Sequence, residues 1–249
     1  MSKLIFADIP RVLRSKIFYI VLFITAFMAA ASVLVTFADT DNKQMVFLVS
    51  SNNLAMFISI LMPVFSGGLS IMLISGEFSS GIIRNKFIMG HRRPAVLLSW
   101  TVIYSLTTVL TYIVYVGSYL ITLKAVGTDL SEFDTGVIAV NFLLIFLFLM
   151  KFQMFSLLMV CIYPDAKMSV ITYLLNNLTM VPLLLFSMNS ADNKAVKFLS
   201  RIFIYGYIGD GYSLITKPDK PWFSAVCILT LSVIYMVLAG LYFNKKDLK

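Results

Sequence analysis

Six long apolar runs divide the chain: Ile17–Ala38, Leu54–Ser75, Ala95–Leu123, Val137–Tyr163, Met168–Met188 and Trp222–Phe243. Runs near twenty residues are long enough to cross a bilayer core as helix, and in lipid the backbone has no water to bond, so each run must be helical. Two polar interruptions also carry helical pattern. In residues 1–16 the stretch "KLIFADIPRVLRSK" puts Ile5, Phe6, Ile9, Val12 and Leu13 on one face and turns Lys3, Arg11 and Arg14 away from it. That pattern predicts an amphipathic helix lying on a membrane surface, with Pro10 kinking it or marking a restart. The competing reading is a basic flank that only orients the first span. In residues 76–94, Gly76 ends the second run, Ser79 or Ser80 caps a short helix to about Met89, Gly90 stops it and Pro94 opens the next span.

Composition agrees with this pattern. The chain has 249 residues, of which 59% are hydrophobic and 13% charged, and its mean hydropathy is +0.90. A water-soluble domain cannot hide so much apolar side chain. The expected fold class is an all-α polytopic membrane protein, a single domain over residues 1–249 with six transmembrane helices. "AFMAAAS" offers a small-x-small site at Ala29–Ala31, but the run continues to Ala38, longer than the apolar region of a signal peptide, so a span is expected there.

Charge then sets orientation. With the N-terminus inside, the inner segments hold Lys3, Arg11, Arg14 and Lys16, then Arg84, Lys86, Arg92 and Arg93, then Lys167, and finally Lys245, Lys246 and Lys249. Their acids are Asp8, Glu77, Asp165 and Asp247, whereas the outer segments carry more acid than base. The positive-inside rule therefore puts both ends in the cytoplasm. The net charge of +8 is a topology signal. It is not the footprint of a nucleic-acid site, since no basic patch is interleaved with exposed aromatics on a soluble module. Cys161 and Cys227 fall at opposite ends of their spans, too far apart for a disulfide.

The outer segment Asn189–Pro221 has Asp192 as a helix cap and an amphipathic stretch through Phe203. It is then broken by Gly206, Gly209 and Gly211. Such a segment either dips into the outer membrane surface or is a plain interfacial loop.

The stretch "SGEFSSGIIRNKFIMGHRRP" from Ser75 to Pro94 is longer than a loop between two helices needs. Phe78, Ile82, Ile83 and Phe87 can face membrane or protein, while Glu77, Arg84, Asn85 and Lys86 are expected to stay wet for charge-assisted bonds. For Arg92 and Arg93 the favoured role is topology and lipid headgroups. An acid on the inner face works against anionic lipid, so Glu77 points to a protein partner or a helix cap.

Within the spans, Lys151 is a mid-bilayer cation, with Gln153 beside it. Such a charge costs about 2.5–3.5 kcal/mol on insertion scales unless it faces a cavity or a partner. Lys151 is either a polar spot on a transport path or a snorkelling lysine held by amides, with Asn141, Asn176, Asn177 or a second subunit as candidate partners. Asn176 and Asn177, together with Ser66, Gly67, Gly68 and Ser70, are read first as helix-packing positions and second as substrate contacts. Pro63 and Pro182 are expected kink points.

At "EFSSGIIRNK" the sequence resembles the type-2 permease family of ATP-binding-cassette exporters. The shared pattern is an acid, a Ser/Gly-rich bend, an apolar pair and a cation. Ile82 stands where that family often has Thr. The resemblance extends to the whole layout: an N-terminal amphipathic helix, six spans, a helix between spans two and three, and a partly helical outer segment between spans five and six. It implies a bacterial plasma membrane as host. It implies that residues 76–94 are a coupling segment docking on a cytoplasmic ATPase through Glu77, Phe78, Ser79, Ser80, Gly81, Arg84, Asn85 and Lys86. It implies a second permease subunit, identical or paralogous, and alternating access. The substrate path would include Ser66, Ser70, Lys151, Gln153, Asn176 and Asn177. The expected cargo is an amphipathic peptide such as a toxin, bacteriocin or antimicrobial peptide, with a small hydrophobic drug or antibiotic next. The chain contains no G-x-x-x-x-G-K-[ST] loop. ATP and Mg are therefore expected on the partner; with no paired carboxylates and no His/Cys cluster within the spans, this chain is expected to bind no cofactor or metal and not to be an enzyme. The rival readings are an ion-coupled carrier and a membrane scaffold.

Overall fold

The computed structural model describes residues 2–39, 43–128, 134–175 and 221–245. Among these the chain is helical, without strands. The helices are α1 (Ser2–Leu13), α2 (Lys16–Asp39), α3 (Lys43–Ser79), α4 (Ile82–Ile88), α5 (Arg93–Val126) and α6 (Thr135–Ile162). They are followed by α7, described over Ala166–Leu175, and α8 (Pro221–Lys245). Among the described residues five stretches are long and apolar enough to cross a membrane: α2, the Leu61–Ser79 part of α3, α5, α6 and α8. Large apolar side chains on α2 and α8 point outward, Phe23 at 72% and Trp222 at 82% exposure among them. An apolar exterior of this kind is what lipid, not water, solvates. The protein is a helical membrane protein.

The apolar runs and the helices coincide closely for α2, α5, α6 and α8. The fifth run, Met168–Met188, is described only through Leu175. Its remainder, the kink expected at Pro182, and the outer segment 189–220 lie outside the described residues. The turn Tyr163–Asp165 closes α6 and α7 into a tight hairpin, with Ser169 Oγ donating back to the Tyr163 carbonyl.

Three boundaries differ from expectation. The second apolar run begins at Leu54, yet α3 already starts at Lys43. Val46 and Phe47 are buried in a cluster with Tyr115 and Tyr119, and Ser50 Oγ lies 3.1 Å from Tyr119 Oη. Gly76 does not end the helix, which runs on to Ser79. Pro10 does not interrupt α1: the ring lies on the exposed side, and Arg14 N–H reaches the Pro10 carbonyl at 2.9 Å. α1 packs on the bundle by a stripe beside the apolar face that was expected to meet the membrane. Leu4, Asp8 and Val12, spaced by four, are buried, while Phe6 is 73% exposed.

In lipid the hydrophobic effect does not press helices together, so close contact between small residues and internal hydrogen bonds must do so. On α2 the buried stripe is Phe18, Val21, Thr25, Ala29, Val33 and Thr36. Ala29, in the signal-like "AFMAAAS", is fully buried against the cluster that holds Tyr115. Between α3 and α7, Tyr173 lies across Gly67 and donates to the Pro63 carbonyl at 2.6 Å. A Cβ on Gly67 would overlap the hydroxyl end of Tyr173, whereas one on Gly68 would meet open space.

Gly67→Ala is therefore expected to destabilise the detergent-solubilised protein by about 1–3 kcal/mol, the usual range for overpacking. Gly68→Ala is expected to stay near the native value. Paired thermal unfolding curves check this; equal curves would mean that Tyr173 moves aside freely.

Candidate functional site: a buried ion network beneath α4

The chain turns sharply between α3 and α5, and its local chemistry explains how. The Gly76 carbonyl, in the last turn of α3, accepts from the backbone N–H of Ser80 and from the hydroxyls of Ser79 and Ser80. Those serines therefore close α3 and do not cap α4, as had been expected. The residue before α4 is Gly81, left-handed at φ 70°, a conformation that favours glycine. α4 ends on Gly90 at φ 84°. There His91 N–H bonds the Lys86 carbonyl and Gly90 N–H bonds the Phe87 carbonyl, a paired closure that satisfies the last carbonyls. Pro94 stands in the first turn of α5.

α4 has two unlike sides. Ile83 and Lys86 are buried. Arg84, Asn85, Ile88 and Met89 are exposed, as are Ser79 and Ser80 at the preceding bend. Glu77 and Lys86 were expected to stay wet; the structure corrects this, since they are 3% and 4% exposed. Lys86 Nζ donates to Glu77 Oε2 at 2.9 Å and to Asp8 Oδ2 at 2.8 Å. Arg11 Nη1 lies 2.8 Å from Glu77 Oε1. Trp100 Nε1 donates to Glu77 Oε2 at 2.9 Å, and Ser99 Oγ to Asp8 Oδ2 at 3.3 Å. Two carboxylates thus face two cations, so the cluster is neutral as a whole, which permits its burial. It joins four helices: α1, α3, α4 and α5. A small cleft lined by Arg11, Glu77, Trp100 and Tyr104 adjoins it, with room for about one water.

An aromatic cluster closes the other flank of α4. The Trp100 ring is 5.8 Å from Phe78 and 5.2 Å from Phe243 of α8, and Phe87 is 6.2 Å from Phe243. Arg93 Nη1 donates to the carbonyls of Phe243 and Asn244. A cation there suits the negative end of the α8 dipole. Arg93 thus caps α8, while Arg92 stays exposed.

The intramembrane candidates separate. Ser70 and Gln153 come together: Gln153 Nε2 donates to Ser70 Oγ, Thr108 Oγ1 donates to Gln153 Oε1, and Ser70 Oγ donates to the Ser66 carbonyl. All are buried among α3, α5 and α6. Lys151 is 4% exposed, with Nζ 4.5 Å from the Phe148 ring centre and 5.0 Å from that of Phe152. Asn141 is not its partner, since ten residues of helix put about 15 Å between them. Asn176 and Asn177 lie outside the described residues. Among the described residues no group of three His, Cys, Asp or Glu side chains converges as a metal site would. Asp8, Arg11, Ser99 and Trp100 were missed as site residues. The one usable signal was Asp8, an acid four residues from Leu4 and Val12 on what proved to be the packed side of α1.

No protein-family model matches the chain, and no curated protein matches it in sequence.

Lys86→Met would leave Glu77 and Asp8 buried without their shared cation. The expected loss is about 3–5 kcal/mol, the range for removing one partner of a buried pair. Arg84→Ala, on the exposed side, is expected to stay within about 0.5 kcal/mol. Thermal unfolding in detergent compares the two; equal losses would mean that the network is hydrated.

Proposed function

We propose that this chain is the membrane subunit of an ATP-driven exporter, built as a type-2 ATP-binding-cassette permease. In this reading the bundle has six spans with both ends in the cytoplasm, α1 lies at the inner surface, and α4 is the coupling helix. The observation that carries it is the two-sidedness of α4. Its inner side is fixed to the bundle by ions and aromatic rings, while its outer side offers Arg84, Asn85, Ile88 and Met89. A loop that merely joined two spans would need neither. The contact set narrows accordingly. Ser79, Ser80, Gly81, Arg84 and Asn85 remain candidates for the ATPase, joined by Ile88 and Met89, whereas Glu77 and Lys86 hold the helix from behind.

The partner is a cytoplasmic ATPase, since the chain has no phosphate-binding loop of its own. A second permease completes the pathway. ATP binding favours the closed ATPase pair, and differential affinity for that state moves α4 and rocks the spans to open outward. Hydrolysis resets them. The cargo is an amphipathic peptide, or failing that a small hydrophobic drug. Ser66, Ser70 and Gln153 serve this machine as a hydrogen-bonded tie between spans. Lys151 remains the polar group of the route.

A mild-detergent pull-down tests the reading. Native chain is expected to retain a soluble protein carrying a P-loop, and Arg84→Glu/Ile88→Asp is expected to release it while still inserting normally. If native chain retains no such ATPase while folded, the exporter reading fails and a scaffold or carrier takes its place.

A further inference from the structure

α1 and α4 are 78 residues apart in sequence at their point of contact, yet one buried cation bridges them. We propose that α1 is a fixed arm of α4. Through Lys86 and Glu77, Asp8 and Arg11 make the N-terminal helix move with α4 and hand that displacement to α2. The inference rests on the coupling role of α4 for its purpose, but the latch itself stands on geometry.

Three observations carry it. First, the α1 side chains involved are inward-facing and engaged at both ends of the cluster: Asp8 takes Lys86 and Ser99, and Arg11 takes Glu77. Removing charge from water to make these contacts is justified only by tight mutual pairing, so the arrangement resists partial opening. Second, α1 and α2 meet in a closed turn. Arg14 N–H bonds the Pro10 carbonyl at 2.9 Å, Ser15 N–H the Val12 carbonyl at 3.0 Å, and Phe18 N–H the Ser15 carbonyl at 3.2 Å. A turn bonded in this way passes on displacement instead of absorbing it. Third, Val12 shares a buried cluster with Phe18 and Val21 of α2, Leu69 of α3 and Ile103 of α5. The arm is therefore packed against the spans that it would move. A purely surface-lying helix would show Phe6 and its neighbours to lipid, as this one does, but would not bury Asp8 and half-bury Arg11. Asp8 and Arg11 are positioning residues: they act through α4 and touch neither cargo nor ATPase.

The test uses variants on α1 alone, so that the Lys86–Glu77 pair and the exposed side of α4 are retained. Spin labels are placed at Phe6 and Met89, both exposed, in full-length chain whose Cys161 and Cys227 are replaced. Native α1 should give one narrow distance distribution. Asp8→Ala/Arg11→Ala should broaden it, and Asp8→Glu/Arg11→Lys should restore it. In unlabelled chain the double alanine variant should retain as much ATPase as native, with ATP-driven efflux about ten-fold lower, a size typical of coupling between sites. The conservative pair should regain efflux. A distribution that stays narrow in the double alanine variant overturns the latch. A broadened distribution with efflux within about two-fold of native, well inside one such coupling step, overturns the transmission. Should the double variant not insert, Asp8→Asn is read in the same way. If native chain binds no ATPase, the exporter reading fails, while the label distances still decide whether α1 and α4 are one body.

Discussion

A single ammonium group held between two carboxylates fixes the end of this bundle. Lys86 Nζ sits 2.8 Å from Asp8 and 2.9 Å from Glu77, and nearly all of it is out of water. A cation in that position has few alternatives: moving away would leave a buried Asp8 without a counter-charge and Glu77 with Arg11 alone. The position of α4 is therefore set by electrostatic neutrality more than by apolar burial. Glu77 in turn needs α3 to run past Gly76, because only a helical last turn aims its carboxylate at both Lys86 and Trp100. The extension of α3, the left-handed Gly81 and the short α4 are consequences of bringing these charges together.

The neighbouring aromatic cluster does different work. Trp100 belongs to both: its N–H serves Glu77 and its ring serves Phe78 and Phe243. Through Phe243 and Arg93 the far end of α8 is brought to the same place. Ion pairs give this end of the molecule its register, since each buried charge must meet an opposite one, and ring contacts give it bulk.

Much of the helical frame was legible in the sequence, because a span announces itself through length and hydropathy alone. Gly90 and Pro94 were legible for the same local reason: each acts on its own backbone. What failed were inferences about which distant neighbour covers a charged or polar side chain. Arg84 and Lys86 look alike in sequence, two cations two residues apart on a polar helix, but opposite sides of α4 follow from that spacing, and nothing local says which side is covered. The stretch before the second apolar run is polar in sequence, and nothing local tells that Ser50 meets Tyr119. Ser79 and Ser80 read as caps for the helix ahead, whereas their hydroxyls reach back to Gly76. The Ser70–Gln153 contact was half legible. Both residues stood out as polar in apolar runs, but a hydrogen bond between two spans and a polar route through them leave the same trace in a sequence.

That contact also bears on how the spans can move. Gln153 links α6 to Ser70 of α3 and to Thr108 of α5 in the middle of the bundle. A bond network in lipid is worth about 1 kcal/mol or somewhat less per contact, enough, when several meet, to favour motion of the three helices together. α2 is held in another way. Thr25, Ser32 and Thr36 direct their hydroxyls to carbonyls of α2 itself, and the inward stripe is otherwise apolar and includes Ala29. Contact of that kind relies on shape, and among the described residues sliding along it breaks no cross-helix polar bond. The bundle thus combines a stapled block of α3, α5 and α6 with an α2 whose seam is smooth. Force entering at α4 would meet both parts at once: the block through Glu77 and Trp100, and α2 through Asp8, α1 and the closed turn at Ser15. In the proposed mechanism a single push is resolved into two bodies of different stiffness, with the branch point at Lys86.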